Sequence, residues 1–231
     1  MTNSVSSSTA FDLVILGAGM TGASLVHLLQ PALQTGMRIA LIDRQQIHWT
    51  EDVLERPPSF DGRATALAWG SRQLLQRMGC WEALIDRACA IQHIQVSDRG
   101  RFGQTHLHAS EQGTEALGYI VENAVLGRAL LQGLGAYPNV TLLSDTDVQR
   151  VDMISGGSQL TLAGGESITT ALLVLADGGR SGLAQQLGIR QQREEYDSVA
   201  LVTQVEMDRE HLHWAYERFS DHGPVAFLPL Q

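Results

Sequence analysis

Phe11-Asp-Leu-Val-Ile-Leu-Gly17-Ala-Gly19-Met-Thr-Gly22, running on through Leu25, Leu28 and Leu29 to Arg38-Ile-Ala-Leu-Ile-Asp43, is the stretch on which the reading of this chain turns. The opening run is short, apolar and rich in strand formers, and it passes directly into glycines spaced as in a dinucleotide fingerprint. A helical pattern follows, and then a second strand that ends on an acid. Gly17 permits the tight strand-to-helix turn, Gly19 lets a pyrophosphate approach the backbone, and Gly22 lets helix and sheet pack closely. The helix N-terminus offers amide protons and a partial positive charge to that phosphate. Asp43 stands 21 residues beyond Gly22, where a carboxylate can take both hydroxyls of an adenosine ribose. It would repel a 2′-phosphate, so the pattern points to FAD or NAD over NADP as the ligand of this fold.

Working outward, 231 residues suffice for one large or two small domains with a real core. A formal charge of −9 argues against a nucleic-acid partner, because phosphate binding needs a basic footprint. No apolar run has the length of a membrane span. Residues 1–10 are Ser/Thr-rich with no basic residue and read as a flexible tail, not a signal peptide. Cys80 and Cys89 are the only cysteines and have neither metal-ligand nor redox spacing, which places the protein in a reducing cytoplasm with free thiols.

Arg44 to Phe60, with Pro57-Pro58, reads as a long loop of ligand-covering type. Asp61 to Leu67 turns into a helix with apolar positions Leu67, Leu74, Leu75 and Met78, capped by Gly79. Trp81 to Ala88 reads as another short helix. The runs Ile91 to Val96 and Gln104 to His108 flank Ser97-Asp-Arg-Gly100 as a hairpin. Tyr119 to Gly135 has helical periodicity, Val140 to Leu143 reads as a strand, and Val148 to Thr170 as a three-run meander. Ala171 to Ala176 has the continuous apolar character of a strand buried on both faces, and a helix follows to Leu187. From Asp197 onward, Ser198 to Met207, Trp214 to Ser220 and Val225 to Leu230 read as strands.

Four motifs now stand in order: Gly17-Ala-Gly-Met-Thr-Gly22, Phe60-Asp-Gly-Arg-Ala-Thr-Ala-Leu67, Val96-Ser-Asp-Arg-Gly100 and Ala176-Asp-Gly-Gly-Arg-Ser181. The set resembles the FAD-dependent aromatic hydroxylases of the p-hydroxybenzoate hydroxylase group. Tyr216-Glu-Arg-Phe-Ser-Asp-His-Gly-Pro-Val-Ala-Phe-Leu-Pro229 makes it most similar to the ubiquinone-biosynthesis branch. The resemblance implies an α/β, Rossmann-like FAD-binding domain (11–89 and 119–188) interleaved with a smaller, mostly β substrate domain (90–118 and 189–231). It implies that Gly17, Gly19, Met20, Thr21 and Gly22 hold the FAD pyrophosphate, and that Asp43 with Arg44 lies at the adenosine ribose. Arg63 falls beside the phosphate and ribityl region, where a guanidinium fork suits a phosphate. Asp177 and Gly178 match a second signature near the FAD phosphates, and Glu122 and Arg128 fall near cofactor-contacting positions.

The activity so implied is hydroxylation of a polyprenyl phenol by FAD, NAD(P)H and O2. The expected setting is cytoplasmic, peripheral at the inner membrane, in association with other ubiquinone-biosynthesis proteins, although no basic amphipathic helix stands out to hold a surface. The family's third signature, a Gly-Asp pair before a Pro- and Gly-rich loop, has no counterpart after Asp177. The chain therefore reads as the N-terminal portion of a longer protein, incomplete in its substrate sheet, inactive alone and prone to self-association. No residue presents itself as the catalytic group.

Two rival readings use the same residues. A plain NAD-dependent dehydrogenase would share the first fingerprint but continue with alternating strands and helices, where this chain inserts a loop, a hairpin and a meander. A metal-binding or interaction protein would use the pairs His106/His108 and His211/His213, each projecting from one strand face. No carboxylate or cysteine at ligand spacing accompanies them, so no metal site is assigned from the sequence. Trp49, Trp69, Trp81 and Trp214 read as core or rim aromatics.

Overall fold

The computed structural model describes residues 9–47 and 62–231; the loop with Pro57-Pro58, Trp49, Phe60 and Asp61, and most of the N-terminal tail, lie outside these. In chain order the first elements are β1 (Thr9–Leu16), α1 (Met20–Leu28), α2 (Gln30–Gln34), β2 (Ile39–Ile42), β3 (Ala64–Ala68) and α3 (Trp69–Arg77). Next come β4 (Cys89–Ile91), β5 (His93–Asp98), β6 (Gln104–His108), β7 (Gly118–Glu122), α4 (Asn123–Leu134) and β8 (Val140–Leu143). The remainder are β9 (Val148–Ile154), β10 (Gly157–Leu162), β11 (Ser167–Leu175), α5 (Leu183–Gln186), β12 (Trp214–Phe219) and β13 (Val225–Phe227).

Two compact units result, one of residues 1–59 and 130–199, the other of 60–129 and 200–231. The first is built on a sheet of order β8-β2-β1-β11-β10-β9. β1 runs parallel to both β2 and β11, with Leu13 opposite Ile39 on one side and Leu172 on the other. A strand with neighbours on both edges and layers on both faces must be apolar throughout, and Val14 and Ile15 are fully buried. Side chains of β1, β2, β9 and β10 interleave with Leu183 of α5 in one apolar cluster.

The second unit holds a sheet of order β13-β12-β5-β6 and a smaller one of order β3-β7-β4. Their shared core is Cys89, Ile91, Ile120 and Ala215, with Ile94 packed against it. The chain crosses between units near 59, 129 and 199, where the sequence put crossings near 89, 118 and 188. Pairing explains the shift, because β3 and β4 both hydrogen-bond to β7 and so carry 60–89 into the second unit.

Several local expectations change for the same reason. Ala64–Ala68 and Gly118–Glu122, read as parts of helices, form an antiparallel strand pair, Ala64 opposite Glu122. Each passes straight into a helix, so helical periodicity ran back across the junction. Gly79 does cap α3: it sits at φ +71 while its amide reaches Gln76 O and that of Cys80 reaches Leu75 O, the paired bonds of a Schellman ending. The expected helix at 81–88 is reduced to a short 3-10 turn, Ile85–Arg87. The third meander run and Ala171 to Ala176 fuse into β11, and Leu172 is 59% exposed, so that strand is not buried on both faces. Ser198 to Met207 forms no strand, because alternation of side chains supplies no backbone partner. The hairpin β5/β6, the strand β8 and the pair β12/β13 form as read.

Candidate functional site

At the carboxyl end of β1 three strand ends converge on the glycine turn. Gly17 donates its amide to Ile42 O at 2.7 Å, and Ala176 donates to Leu16 O at 2.7 Å. Gly17 adopts φ +100, and a Cβ there would stand 2.5 Å from Ala176 O. At Gly22 a Cβ would come within 1.9 Å of Gly17 O, which is how closely α1 lies on the turn. Gly19 differs: it is the N-cap of α1 and a Cβ on it would meet nothing within 4 Å. Two glycines are thus required by the protein itself, and the third leaves open space.

That space is a cleft of about 230 Å³. Gly17, Gly19, Asp43 and Arg44 border it, as do Asp177 and Gly178. The first turn of α1 carries Met20 and Thr21, contains no acidic residue and has no side-chain cap. Its leading amides therefore have no intrahelical acceptor and give that end a partial positive charge. Asp43 directly follows β2, with one carboxylate oxygen accepting Ala18 N–H at 2.8 Å and the other accepting Gln45 N–H at 2.9 Å. Each oxygen keeps a lone pair for a further donor.

Asp177 is braced in the same manner. Its oxygens accept Gly179 N–H at 3.1 Å and Ser181 N–H at 2.7 Å. Burial alone would raise its pKa, but these bonds, Ser181 foremost, outweigh it and hold the carboxyl below its ordinary range. Asp177 thus shapes the turn that Gly178, at φ +67, completes.

Thr146, Asp147, Val148, Arg180 and Ser181 also line the cleft and were not singled out in the sequence. Thr146 N–H donates to Asp43 O at 3.0 Å, and Asp145 N–H to Gln45 O at 3.1 Å, which brings this loop to the rim. The available signal was positional, since β8 runs parallel to β2 and ligands of open α/β sheets sit beyond the carboxyl ends of their strands. Arg180 and Ser181 stand in the Ala176-Asp-Gly-Gly-Arg-Ser181 motif.

The remaining expected residues belong to the second unit. Arg63 O accepts Asn123 N–H at 2.8 Å, Glu122 pairs with Arg87 at 4.0 Å, and Arg128 lies on α4. Of the histidine pairs, His106 and His108 share a face of β6, both beside Trp214. His211 and His213 precede β12 instead, with Leu212 and His213 at positive φ, so no strand projects them. Burial pushes the Cys80 thiol up to about 11, reinforced by Glu82, and pushes Cys89 up as well, so neither resembles an activated nucleophile. Among the described residues no helix is long and apolar enough to cross a membrane.

Helix-end amides, an open glycine and a carboxylate with spare lone pairs meet in this cleft, a set of groups that could hold the diphosphate and ribose of a dinucleotide. The chain is 32% identical over 219 residues to ubiquinone hydroxylase UbiL of Rhodospirillum rubrum, covering 95% of this chain and 49% of that protein. It is 30% identical over 219 residues to 3-demethoxyubiquinol 3-hydroxylase of Escherichia coli, covering 95% and 54%. The chain thus spans about half the length of these curated relatives. In structure it matches p-nitrophenol 4-monooxygenase PnpA of Pseudomonas putida with a TM-score of 0.62 at 18% identity, over 78% of this chain and 44% of that one. The mixed α/β fold is that of the p-hydroxybenzoate hydroxylase-like monooxygenases. The model of the FAD-binding domain matches residues 10–231, and the chain belongs to that family.

Proposed function

We propose that this chain seats the ADP portion of FAD in a flavin-dependent hydroxylase that acts on the phenol ring of a polyprenylated ubiquinone precursor, with NAD(P)H as reductant and O2 as the source of the inserted oxygen. One observation carries the cofactor assignment: Gly19 opens onto the cleft, and among the described residues beyond its chain neighbours none lies within 4 Å of a Cβ there, beside Asp43 and the uncapped start of α1. The substrate class rests on the ubiquinone hydroxylases to which the chain is similar.

Bound flavin would supply the electron transfer and oxygen activation that no side chain performs. The residues of the first unit would position it. Amides at Gly19, Met20 and Thr21 would donate to the diphosphate, and Asp43 would accept from the ribose while still holding Ala18. Arg44 and Arg180, both on the cleft, would offset the diphosphate charge. A cleft of about 230 Å³ is smaller than the ~300–1,000 Å³ of a complete small-molecule site. It would take one end of the cofactor.

The 231 residues are not expected to turn over by themselves. The test is to load the chain and a full-length relative with FAD, pass both through gel filtration and measure retained flavin absorbance. Retention by the chain, reduced in a Gly19→Ala variant, supports the reading. A colourless chain that instead binds NAD would overturn it, and phenol-dependent NADPH oxidation by the chain would overturn its inactivity.

A further inference from the structure

Cys89 and His211 are 122 residues apart in sequence, yet Cys89 Sγ lies 3.8 Å from His211 Nε2 in the second unit. With His213 they bring one ligand atom each within 4.8 Å of one another. None of the three borders the cleft described above, so the flavin reading leaves them unused.

The backbone goes out of its way to make this cluster. Leu212 at φ 47 and His213 at φ 60 are consecutive non-glycine residues in the left-handed region, a conformation that side-chain-bearing residues adopt only at an energetic cost. The turn brings both flanking imidazoles toward one thiol, their ring centroids 5.5 Å apart. His213 Nδ1 lies 3.0 Å from Ala90 O, to which it donates, leaving its Nε2 lone pair free. That is the carbonyl-oriented arrangement of a metal-binding histidine.

We propose that Cys89, His211 and His213 form a binding site for a divalent transition ion of the zinc type, with solvent in the fourth position. One thiolate and two imidazoles are a borderline-soft set that suits such an ion and offers nothing to Mg²⁺ or Ca²⁺. The spacing agrees, since tetrahedral bonds of ~2.3 Å to sulfur and ~2.0 Å to nitrogen place those two ligand atoms about 3.5 Å apart. Coordination releases the thiol proton to solvent. His211 Nδ1 accepts His213 N–H at 3.0 Å, so its ring proton sits on Nε2. Ligation at Nε2 moves that proton to Nδ1 and frees the backbone amide, so ion and hydrogen bond compete. The site is therefore exchangeable, in contrast to a closed structural zinc centre.

The experiment is a Co²⁺ titration of the untagged, reduced 231-residue chain under anaerobic conditions. One equivalent should produce a thiolate-to-cobalt charge-transfer band in the near ultraviolet, and Zn²⁺ should abolish it. Cys89→Ser should remove the band, His213→Gln should weaken Co²⁺ binding by about 10- to 100-fold or more, a loss at least that of an outer-shell partner, and Cys80→Ser should change neither. No band at saturating Co²⁺, or a band that survives Cys89→Ser, overturns the proposal. If circular dichroism shows Cys89→Ser unfolded, the His211→Gln/His213→Gln double variant decides, and undiminished Co²⁺ affinity there overturns it equally.

Discussion

Asp43 Oδ2 accepts the amide of Ala18 at 2.8 Å, tying the first residue after one strand to the middle of the glycine turn that follows another. The same carboxylate that faces the cleft is thus also a brace for it. Bracing and the proposed ribose recognition would then fall to one side chain, and substitutions can separate them.

Asp43→Ala should leave Ala18 N–H and Gln45 N–H without their acceptor, at a cost of about 1–3 kcal/mol for a donor left unsatisfied in a partly buried site. The urea midpoint should fall accordingly, and FAD retention should be lost. Asp43→Asn keeps one acceptor oxygen and should recover part of the stability but little of the ribose binding. Equal retention of flavin by wild type and Asp43→Ala would remove Asp43 from the site.

The three fingerprint glycines should respond differently to alanine. Gly22→Ala sets a methyl 1.9 Å from Gly17 O, and Gly17→Ala sets one 2.5 Å from Ala176 O at an unfavourable φ, so both should fail to fold or melt far lower. Gly19 has φ −69 and open space, so Gly19→Ala should melt as wild type while its FAD affinity falls by roughly tenfold or more, as when a pre-formed backbone approach is blocked. Paired melting curves and flavin titrations check this.

His27 on α1 is buried, with Nε2 donating to Leu130 O at 2.7 Å and Nδ1 accepting from Tyr137 OH at 3.1 Å. Burial lowers its pKa from the ordinary 6.5, against a smaller opposing effect of the Leu130 hydrogen bond. An unfolded chain takes up this proton near pH 6.5 and the folded chain only at lower pH. Stability should therefore be unaffected by His27 above 6.5 and decline as the pH falls from there toward the folded pKa. Thermal melts from pH 8 to pH 5 should show this slope in wild type and a shallower one in His27→Gln. Gly133→Ala, whose methyl would stand 2.6 Å from the His27 ring, should destabilise at every pH.

Val199, Leu201, Val202, Val205 and Met207 are exposed in a segment without strand pairing, Leu201 at 94%. An apolar stretch of this kind favours association. Sedimentation of the chain should show concentration-dependent oligomers and strong binding of a hydrophobic dye, both reduced in a Val199→Glu/Leu201→Lys variant. A monomer at high concentration with weak dye binding would contradict this.

Sequence alone determined the strand-turn-helix from Phe11 to Leu28, the tight turn at Gly17 and the close packing at Gly22, the β5/β6 hairpin and the Asp177-Gly178 turn. Each is set by interactions within a few residues, which periodicity and turn chemistry record. It misread Tyr119 to Glu122, because a strand that runs into a helix without a break has no local marker and is decided by its partners, β3 and β4. Tertiary structure alone decided that Thr146 to Val148 reach the cleft, through the parallel pairing of β8 with β2. It alone brought Cys89 to His211. Those juxtapositions depend on which strands pair across long stretches of chain, and that is settled by burial of the whole apolar surface, a quantity no short window of sequence contains.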